Sequence, residues 1–214
     1  MGSRGSGSGR EGVGKHGAGM KGRRTGATPK NGEYLSDQIG KKGGTGFADE
    51  IMRTRDSLES VYGESVKDIT LMTASFAGEG VLGCYSPMEN TVYMNKKYIG
   101  NTQLTQSMLA AAKSGYHPSI GQYTGAEAVA AHEIGHGMAD YILKNKGVSA
   151  EAIVAAAGKK IGIAKQNMAG FISEYARENY SETIAEASAD VYCNGSKATK
   201  QSKAIMAEVK SYMK

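Results

Sequence analysis

The sequence predicts an α+β fold, in which one helix and a few strands come before a run of helices. Apolar and polar residues alternate over 67–75, and a hairpin pattern follows over 81–95. Between residues 124 and 213, four segments have helical spacing or helix-capping residues. This order of elements is typical of α+β domains with a small sheet. A chain of 214 residues with 40% hydrophobic content is large enough to bury the core of one ordinary domain.

The first 46 residues differ from the remainder in composition. They contain 15 of the 30 glycines, and 9 Lys/Arg against 3 Asp/Glu, whereas residues 47–214 contain 17 against 18. Such a segment has too few apolar side chains to offset the entropy lost on ordering. We therefore predict a disordered, Gly-rich basic tail or linker over 1–46 and one folded domain over 47–214. A solubilising linker, or a junction within a longer precursor, is favoured over weak non-specific contact of the tail with nucleic acid.

The first half of the domain contains a predicted helix, three strands and a second helix. Helical spacing over 47–63 is set by apolar residues that should face the core, namely Phe47, Ile51, Leu58, Val61 and Tyr62. The alternation in KDITLMTAS predicts a strand at 67–75. The segments VLGCY and NTVYMN flank a turn with Pro87, so they are interpreted as a hairpin. Residues 102–113 then form a helix that Gly115 and Pro118 stop.

The second half is predicted to be helical throughout. Thr124 and Glu127 form a capping box, and the helix they begin should run to Lys146, where Gly147 ends it. Further helices are predicted over 149–165, from an Asn179 cap onward, and over 197–213.

The helix after Thr124 contains the motif that points to chemistry, HEIGH. His132 and His136 are four residues apart, which places both imidazoles on one helix face, where they can bind a single zinc ion. Glu133 lies beside that face and could take a proton from water, and this spacing is a known metalloprotease signature. The alternative is a core helix with two satisfied histidines. That alternative explains a buried Glu133 poorly, because a buried carboxylate without a partner is costly.

A catalytic zinc site needs a third protein ligand. A third histidine six residues after the motif is ruled out, because that position is Ile142. His117 could line the cleft, although a surface-loop histidine is the simpler interpretation. Five carboxylates follow at steps of four and would repel one another along one helix face unless a cation bound them: Glu174, Glu178, Glu182, Glu186 and Asp190.

HEIGH together with YARENYSETIAE resembles the zincin-like metallopeptidase domain of the anthrax toxin lethal factor type. Related domains occur in proteins of bacterial mobile elements and phage particles. In that group the histidine motif is followed by a tyrosine and a segment Y-x-x-x-N-x-x-E-x-x-A-E. The matching positions here are Tyr175, Asn179, Glu182, Ala185 and Glu186. The segment GYHP and the hairpin strand NTVYMN, as an edge strand, are also similar, and the resemblance covers roughly 47–195.

The resemblance implies that His132, His136 and Glu182 bind Zn²⁺, with Glu133 as the general base. It also implies that Tyr175 donates a hydrogen bond to the developing oxyanion, and that Glu186 supports a ligating histidine from behind. Because Glu186 and Asp190 have the same spacing as Glu182 and Glu186, the ligand could instead be Glu186, one turn further on.

Two functions follow from these expectations. The first is a zinc metallopeptidase that hydrolyses protein or peptide substrates, which an edge strand near 90–95 would hold in extended form. The alternative is a structural or assembly protein of a phage particle or mobile element, with incidental proteolysis or none. No apolar stretch approaches the length of a membrane span and no secretory signal is visible, so synthesis in the cytoplasm is expected.

Overall fold

The sheet combines parallel and antiparallel strands in the predicted α+β arrangement. The structure, a computed structural model, describes residues 29–77 and 80–213. Four strands form a sheet in that part of the chain: β1 (Pro29–Tyr34), β2 (Thr70–Phe76), β3 (Gly83–Ser86) and β4 (Thr91–Asn95). Their spatial order is β1-β2-β4-β3, with β2 and β4 parallel and both outer pairs antiparallel.

Helices make up most of the rest of the fold. Within the described residues they are α1 (Gly44–Tyr62), α2 (Glu64–Lys67), α3 (Gln103–Lys113), α4 (Gly125–Lys146), α5 (Ala150–Ile161), α6 (Lys165–Met168), α7 (Tyr180–Asn194) and α8 (Lys200–Ser211). None of the helices in these ranges combines the length and the apolar character that crossing a bilayer requires.

The hairpin of β3 and β4 is confirmed, but the predicted edge strand is wrong. β4 pairs with β2 on one side and with β3 on the other, and all five of its residues are buried. A strand enclosed in this way has apolar residues on both faces, which NTVYMN provides with Val92 and Met94 alongside Tyr93. The edge strand on this side of the sheet is therefore β3.

The predicted boundary at residue 46 also differs from the structure. β1 pairs with β2, Leu35 and Gln38 are buried, and α1 already begins at Gly44. The glycine-rich composition contains no apolar pattern that would predict this short strand. Its polar side chains make hydrogen bonds and ion pairs, as Glu33 does with Gln38 and Lys96. The remainder of the predicted tail, residues 1–28, lies outside the described residues.

Most other helix boundaries match the sequence. The capping box of Thr124 and Glu127 is present, and Gly147 ends α4 with a left-handed backbone (φ 67°). The helix predicted over 149–165 instead ends at Ile161, because Gly162 adopts the same left-handed conformation (φ 72°). Val61 of α1 is 42% exposed and does not join the core as predicted.

α4 lies at the centre of the domain. It contacts β3 and β4 on one side, α7 on another, and also α1 and α3. Most of its 22 residues are buried, including Ile134, Met138 and Ile142, which are fully enclosed. The helix that carries the histidine motif is therefore held on several sides by the core.

Candidate metal centre

The start of α4 is fixed before the motif begins. The Thr124 hydroxyl accepts from the Glu127 N–H, and the Glu127 carboxylate accepts from the Thr124 N–H. Arg53 of α1 donates two hydrogen bonds to the same carboxylate. Two turns of helix then carry the chain to His132 and His136, whose rings meet edge to face with centroids 4.9 Å apart.

α7 brings the carboxylates to this face of α4. Asn179 caps α7 by accepting from the Glu182 N–H, so Glu182 occupies the first turn of the helix. Both Glu182 and Glu186 are buried, whereas Glu174 and Glu178, earlier in the acidic series, are exposed. The acidic series is therefore not one solvated face.

Three atoms converge between the two helices. The Nε2 atoms of His132 and His136 are 3.2 Å apart, and Glu182 Oε2 lies 3.2 Å from the first and 3.3 Å from the second. These residues form the group in the described chain whose ligand atoms could hold a metal ion. The structure therefore places Glu182, and not Glu186, beside the two Nε2 atoms.

The opposite nitrogen of each imidazole already has a partner. His132 Nδ1 is 2.7 Å from Glu186 Oε1, and His136 Nδ1 is 2.8 Å from the Ser181 hydroxyl. If each Nδ1 carries the proton of a neutral imidazole, both Nε2 atoms present lone pairs to each other and to Glu182. Within the described residues, Glu182 Oε2 is a buried oxygen without a hydrogen-bond partner.

A positive charge among these atoms would stabilise the arrangement. Burial alone would lower the pKa of His132, but Glu182 and Glu186 outweigh it and raise the pKa well above its usual value. For Glu182 the directions are reversed: burial alone would raise its pKa, but the adjacent imidazoles lower it. Both shifts favour an ionised Glu182 facing a protonated imidazole, so a positive charge at this point, whether a proton or a metal ion, is stabilised.

The spacing of the three atoms fits a zinc ion. Ligands that surround zinc tetrahedrally at about 2.0–2.1 Å lie about 3.3–3.4 Å from one another. The observed separations of 3.2, 3.2 and 3.3 Å agree with this value. Two imidazole nitrogens and one carboxylate oxygen also form a ligand set that zinc commonly has in catalytic sites. The three residues could therefore hold a metal ion while leaving a fourth position open.

Glu133 lies next to this centre on the sheet side of α4. It is buried, and a Cβ on Gly83 of β3 would come within 3.3 Å of Glu133 Cγ. Burial raises the pKa of Glu133, although the two histidines and the Tyr85 main chain oppose the shift. The Glu133 carboxyl group is buried beneath the edge strand and interacts electrostatically with His132, His136 and Glu182, an environment suited to accepting and returning a proton.

The tyrosine identified from the sequence is also near the centre. Tyr175 is buried, and its ring centroid is 6.0 Å from that of His132 and 5.2 Å from that of His117. The main chain fixes its position, because the Tyr175 N–H donates to the Tyr116 carbonyl. The structure thus brings Tyr175, Glu133 and the three possible ligands to one region of α4 and α7.

His117 corrects a further expectation. It is 3% exposed, so it is not a surface-loop histidine, and its Nδ1 lies 3.1 Å from both oxygens of Glu186. Asp190 accepts from Asn194 and from the Thr199 N–H instead of supporting a histidine. The alternative assignment, with Glu186 beside the two Nε2 atoms and Asp190 behind a histidine, is therefore not the arrangement in the structure.

Two serines at the site were not predicted from the sequence: Ser181, which hydrogen-bonds to His136, and Ser173, which hydrogen-bonds to Glu186. No sequence signal marks them, because serine is common in helix starts and loops.

The chain matches no protein-family model, no curated protein and no solved structure.

Proposed function

We propose that the protein is a zinc-dependent metallopeptidase of zincin-like type. One observation carries the proposal: three acceptor atoms, two imidazole nitrogens and a carboxylate oxygen, meet at the ligand spacing of tetrahedral zinc. The resemblance of HEIGH and YARENYSETIAE to lethal-factor-type domains supports the same conclusion. Zinc in such a site acts as a Lewis acid that polarises a carbonyl group and makes water more acidic near neutral pH.

The residues of the chain then have distinct tasks. His132, His136 and Glu182 would bind the ion. A Glu133 carboxylate oxygen would take a proton from the attacking water and deliver it to the nitrogen of the leaving amine. Its raised pKa brings the carboxyl group closer to the operating pH, which suits transfer in both directions. The Tyr175 phenol would donate a hydrogen bond to the oxygen on which negative charge develops.

The substrate would bind as an additional strand. β3 is an edge strand, and Gly83 brings its backbone close to Glu133. An extended peptide that pairs with β3 would pass along the side of α4 where Glu133 lies. The strand proposed to hold the substrate is thus β3, because β4, which the sequence had suggested, is enclosed between β2 and β3. Main-chain pairing of this kind selects for an extended peptide more than for any particular side chain.

The decisive experiment compares the wild-type protein with Glu133→Gln. The amide keeps the size of the side chain but cannot take a proton, so zinc content should remain while cleavage is lost. Zinc content is measured by elemental mass spectrometry, and cleavage by mass spectrometry of a peptide library.

The matched control is Glu178→Gln, which removes an exposed carboxylate of the acidic series and should change neither quantity. If Glu133→Gln cleaved peptides as well as the wild type, the mechanism would be wrong. If neither the wild type nor Glu133→Gln cleaved any peptide although both bound zinc, the alternative role, in the assembly of a phage particle or mobile element, would be favoured.

A further inference from the structure

The carboxylate behind His132 is shared with a second histidine. Glu186 Oε1 lies 2.7 Å from His132 Nδ1, and both Glu186 oxygens lie 3.1 Å from His117 Nδ1. The Ser173 hydroxyl donates to Oε2 at 2.7 Å. Glu186 is 1% exposed and His117 3%, so these contacts are made out of solvent.

The direction of these bonds follows from what each imidazole faces. His132 can use Nε2 as a ligand only if its proton is on Nδ1, where Glu186 accepts it. Glu186 must therefore be ionised and correctly aimed for His132 to be a good ligand. His117 Nδ1 donates to the same carboxylate and restricts it from the other side.

Three donors offset the cost of burying this carboxylate. The His117 ring, the His132 ring and the Ser173 hydroxyl all lie within 3.1 Å of its oxygens, which offsets the loss of water around a buried charge. Without His117, the carboxylate would be held by Ser173 and His132 alone. It would then be freer to rotate away from His132, because the ring that faces both of its oxygens would be gone.

The loop that carries His117 is anchored next to the centre. The carbonyls of Gly115 and Tyr116 accept from the N–H groups of Glu174 and Tyr175. The His117 ring then packs edge-on against Tyr175, at 72° and 5.2 Å between centroids. The loop thus fixes His117 relative to the chain that enters α7.

We infer that His117 is a positioning residue of the metal centre, which holds the Glu186 carboxylate so that Glu186 fixes the ring orientation and tautomer of His132. The inference rests on the proposed metal site, but not on the proposed peptidase activity. Three residues would then follow one another outward from the ion: the ligand His132, the carboxylate Glu186 that accepts from it, and His117, which restrains that carboxylate.

The test uses two substitutions of similar size, His117→Leu and His117→Asn. The Asn amide nitrogen occupies nearly the place of Nδ1 and can still donate to Glu186, whereas Leu cannot. The dissociation constant for Zn²⁺ is measured in the full-length protein by competition with a chromophoric chelator. Direct partners of a ligating histidine typically change metal affinity by about 10–100-fold, so we expect His117→Leu, which acts through such a partner, to weaken zinc binding by about 10-fold, the low end of that range. His117→Asn should remain close to the wild type.

The visible spectrum of the Co²⁺-loaded protein provides a second measurement. It should shift in His117→Leu and be restored in His117→Asn, because it reports the geometry around His132. A purely structural role would lower the urea midpoint of both metal-free variants without separating their zinc affinities. Equal affinities for the two variants, or a wild-type affinity in His117→Leu, would overturn the inference.

The outcomes also separate this inference from the proposed function. A wild-type protein that bound no zinc would refute both. Zinc binding that depends on His117 as expected, in a protein that cleaves no peptide, would support the inference and refute the peptidase.

Discussion

Gly135 of α4 lies directly against Ala185 of α7. A Cβ atom on Gly135 would stand 2.8 Å from Ala185 Cα and 2.9 Å from Ser188 Cβ, closer than real side chains approach. The Ser188 hydroxyl donates to the Ala131 carbonyl at 2.8 Å and links the helices at the same level. This contact sets the distance at which Glu182 and Glu186 of α7 meet the histidines of α4.

Gly135→Ala should therefore damage both stability and zinc binding. The added methyl group must push α7 away, since the atoms it meets belong to the backbone and to a Cβ. Overpacking of a close contact typically costs about 1–3 kcal/mol in the free energy of unfolding. Urea unfolding of the metal-free protein and chelator competition with zinc measure the two effects.

Gly46→Ala is the matched control for this substitution. Gly46 also lies in a helix, α1, but a Cβ there would meet nothing within 4 Å. This variant should gain up to about 1 kcal/mol, because alanine loses less backbone entropy on folding. Equal effects of the two variants would show that helix propensity, and not the approach of α7, explains the result.

Removing the Glu182 carboxylate and removing the Glu186 carboxylate should weaken zinc binding to different degrees. Glu182→Ala deletes one of the three atoms that could hold the ion, whereas Glu186→Ala deletes the acceptor behind His132 and should cost about 10–100-fold in affinity. Glu182→Ala should therefore be the weaker binder, as zinc titration of the purified variants would show.

Asp190→Asn is the control from the same helix and the same spacing. Asp190 accepts from Thr199 and Asn194, so its variant should lose stability but keep the zinc affinity of the wild type. An affinity loss larger in Glu186→Ala than in Glu182→Ala would move the ligand by one helical turn.

Much of this site could be predicted because the signals were local. The capping box at Thr124, the i,i+4 histidines and the Asn179 cap each depend on residues within one or two turns of a helix. These features also limit where His132 and Glu182 can point. The resemblance then supplied the choice of Glu182 over Glu186, which the repeated spacing of the acids had left open.

The features that were missed depend on contacts between distant segments. His117 is 69 residues from Glu186, so nothing in GYHP reveals that its ring is buried against a carboxylate. The central place of β4 follows from parallel pairing with β2, which local alternation of residues does not encode. Similarly, β1 pairs with β2 through its main chain and is linked by Glu33 to Gln38 and Lys96, contacts that no apolar pattern marks.

Gly83→Ala should impair turnover without loss of zinc. A Cβ on Gly83 would stand 3.1 Å from the Tyr93 carbonyl oxygen, 3.1 Å from Val129 Cγ1 and 3.3 Å from Glu133 Cγ, so β3 and the Glu133 side chain must separate by a few tenths of an ångström. A shift of about 1 Å in a reacting group can cost 100-fold, so about a 10-fold fall in kcat is expected. The assay uses any peptide that the wild-type protein cleaves, with zinc content measured in parallel.

Gly32→Ala on β1 is the control with similar crowding elsewhere in the sheet. Its Cβ would stand 3.1 Å from Met72 Cε and 3.3 Å from Tyr93 Cε1, and it should leave kcat unchanged. A fall in kcat of the same size in both variants would trace the effect to the sheet as a whole and not to Glu133.

Glu33→Gln should make the free energy of unfolding depend less on pH in the acid range. The Glu33 carboxylate bonds to Lys96, Gln38 and Lys41, and these partners, Lys96 foremost, lower its pKa from 4.5 to about 2. A carboxylate with a lowered pKa stabilises the fold above its unfolded-state value and loses that contribution as the pH falls through the folded-state value. The wild type should therefore exceed the variant in stability at pH 7, and the difference should shrink between pH 4.5 and about 2.

The urea midpoint of both proteins, measured across this pH range, tests the prediction. Glu64→Gln is the control, because Glu64 and Lys67 form an ion pair in which both side chains are more than half exposed. Exposed pairs contribute little, so this variant should follow the wild type at every pH. Glu33 joins β1 to the segment after β4, so the same experiment shows whether the glycine-rich region from residue 29 onward unfolds with the rest of the domain. A wild type and a Glu33→Gln variant with parallel pH profiles would mean that these ion pairs do not hold β1 in place.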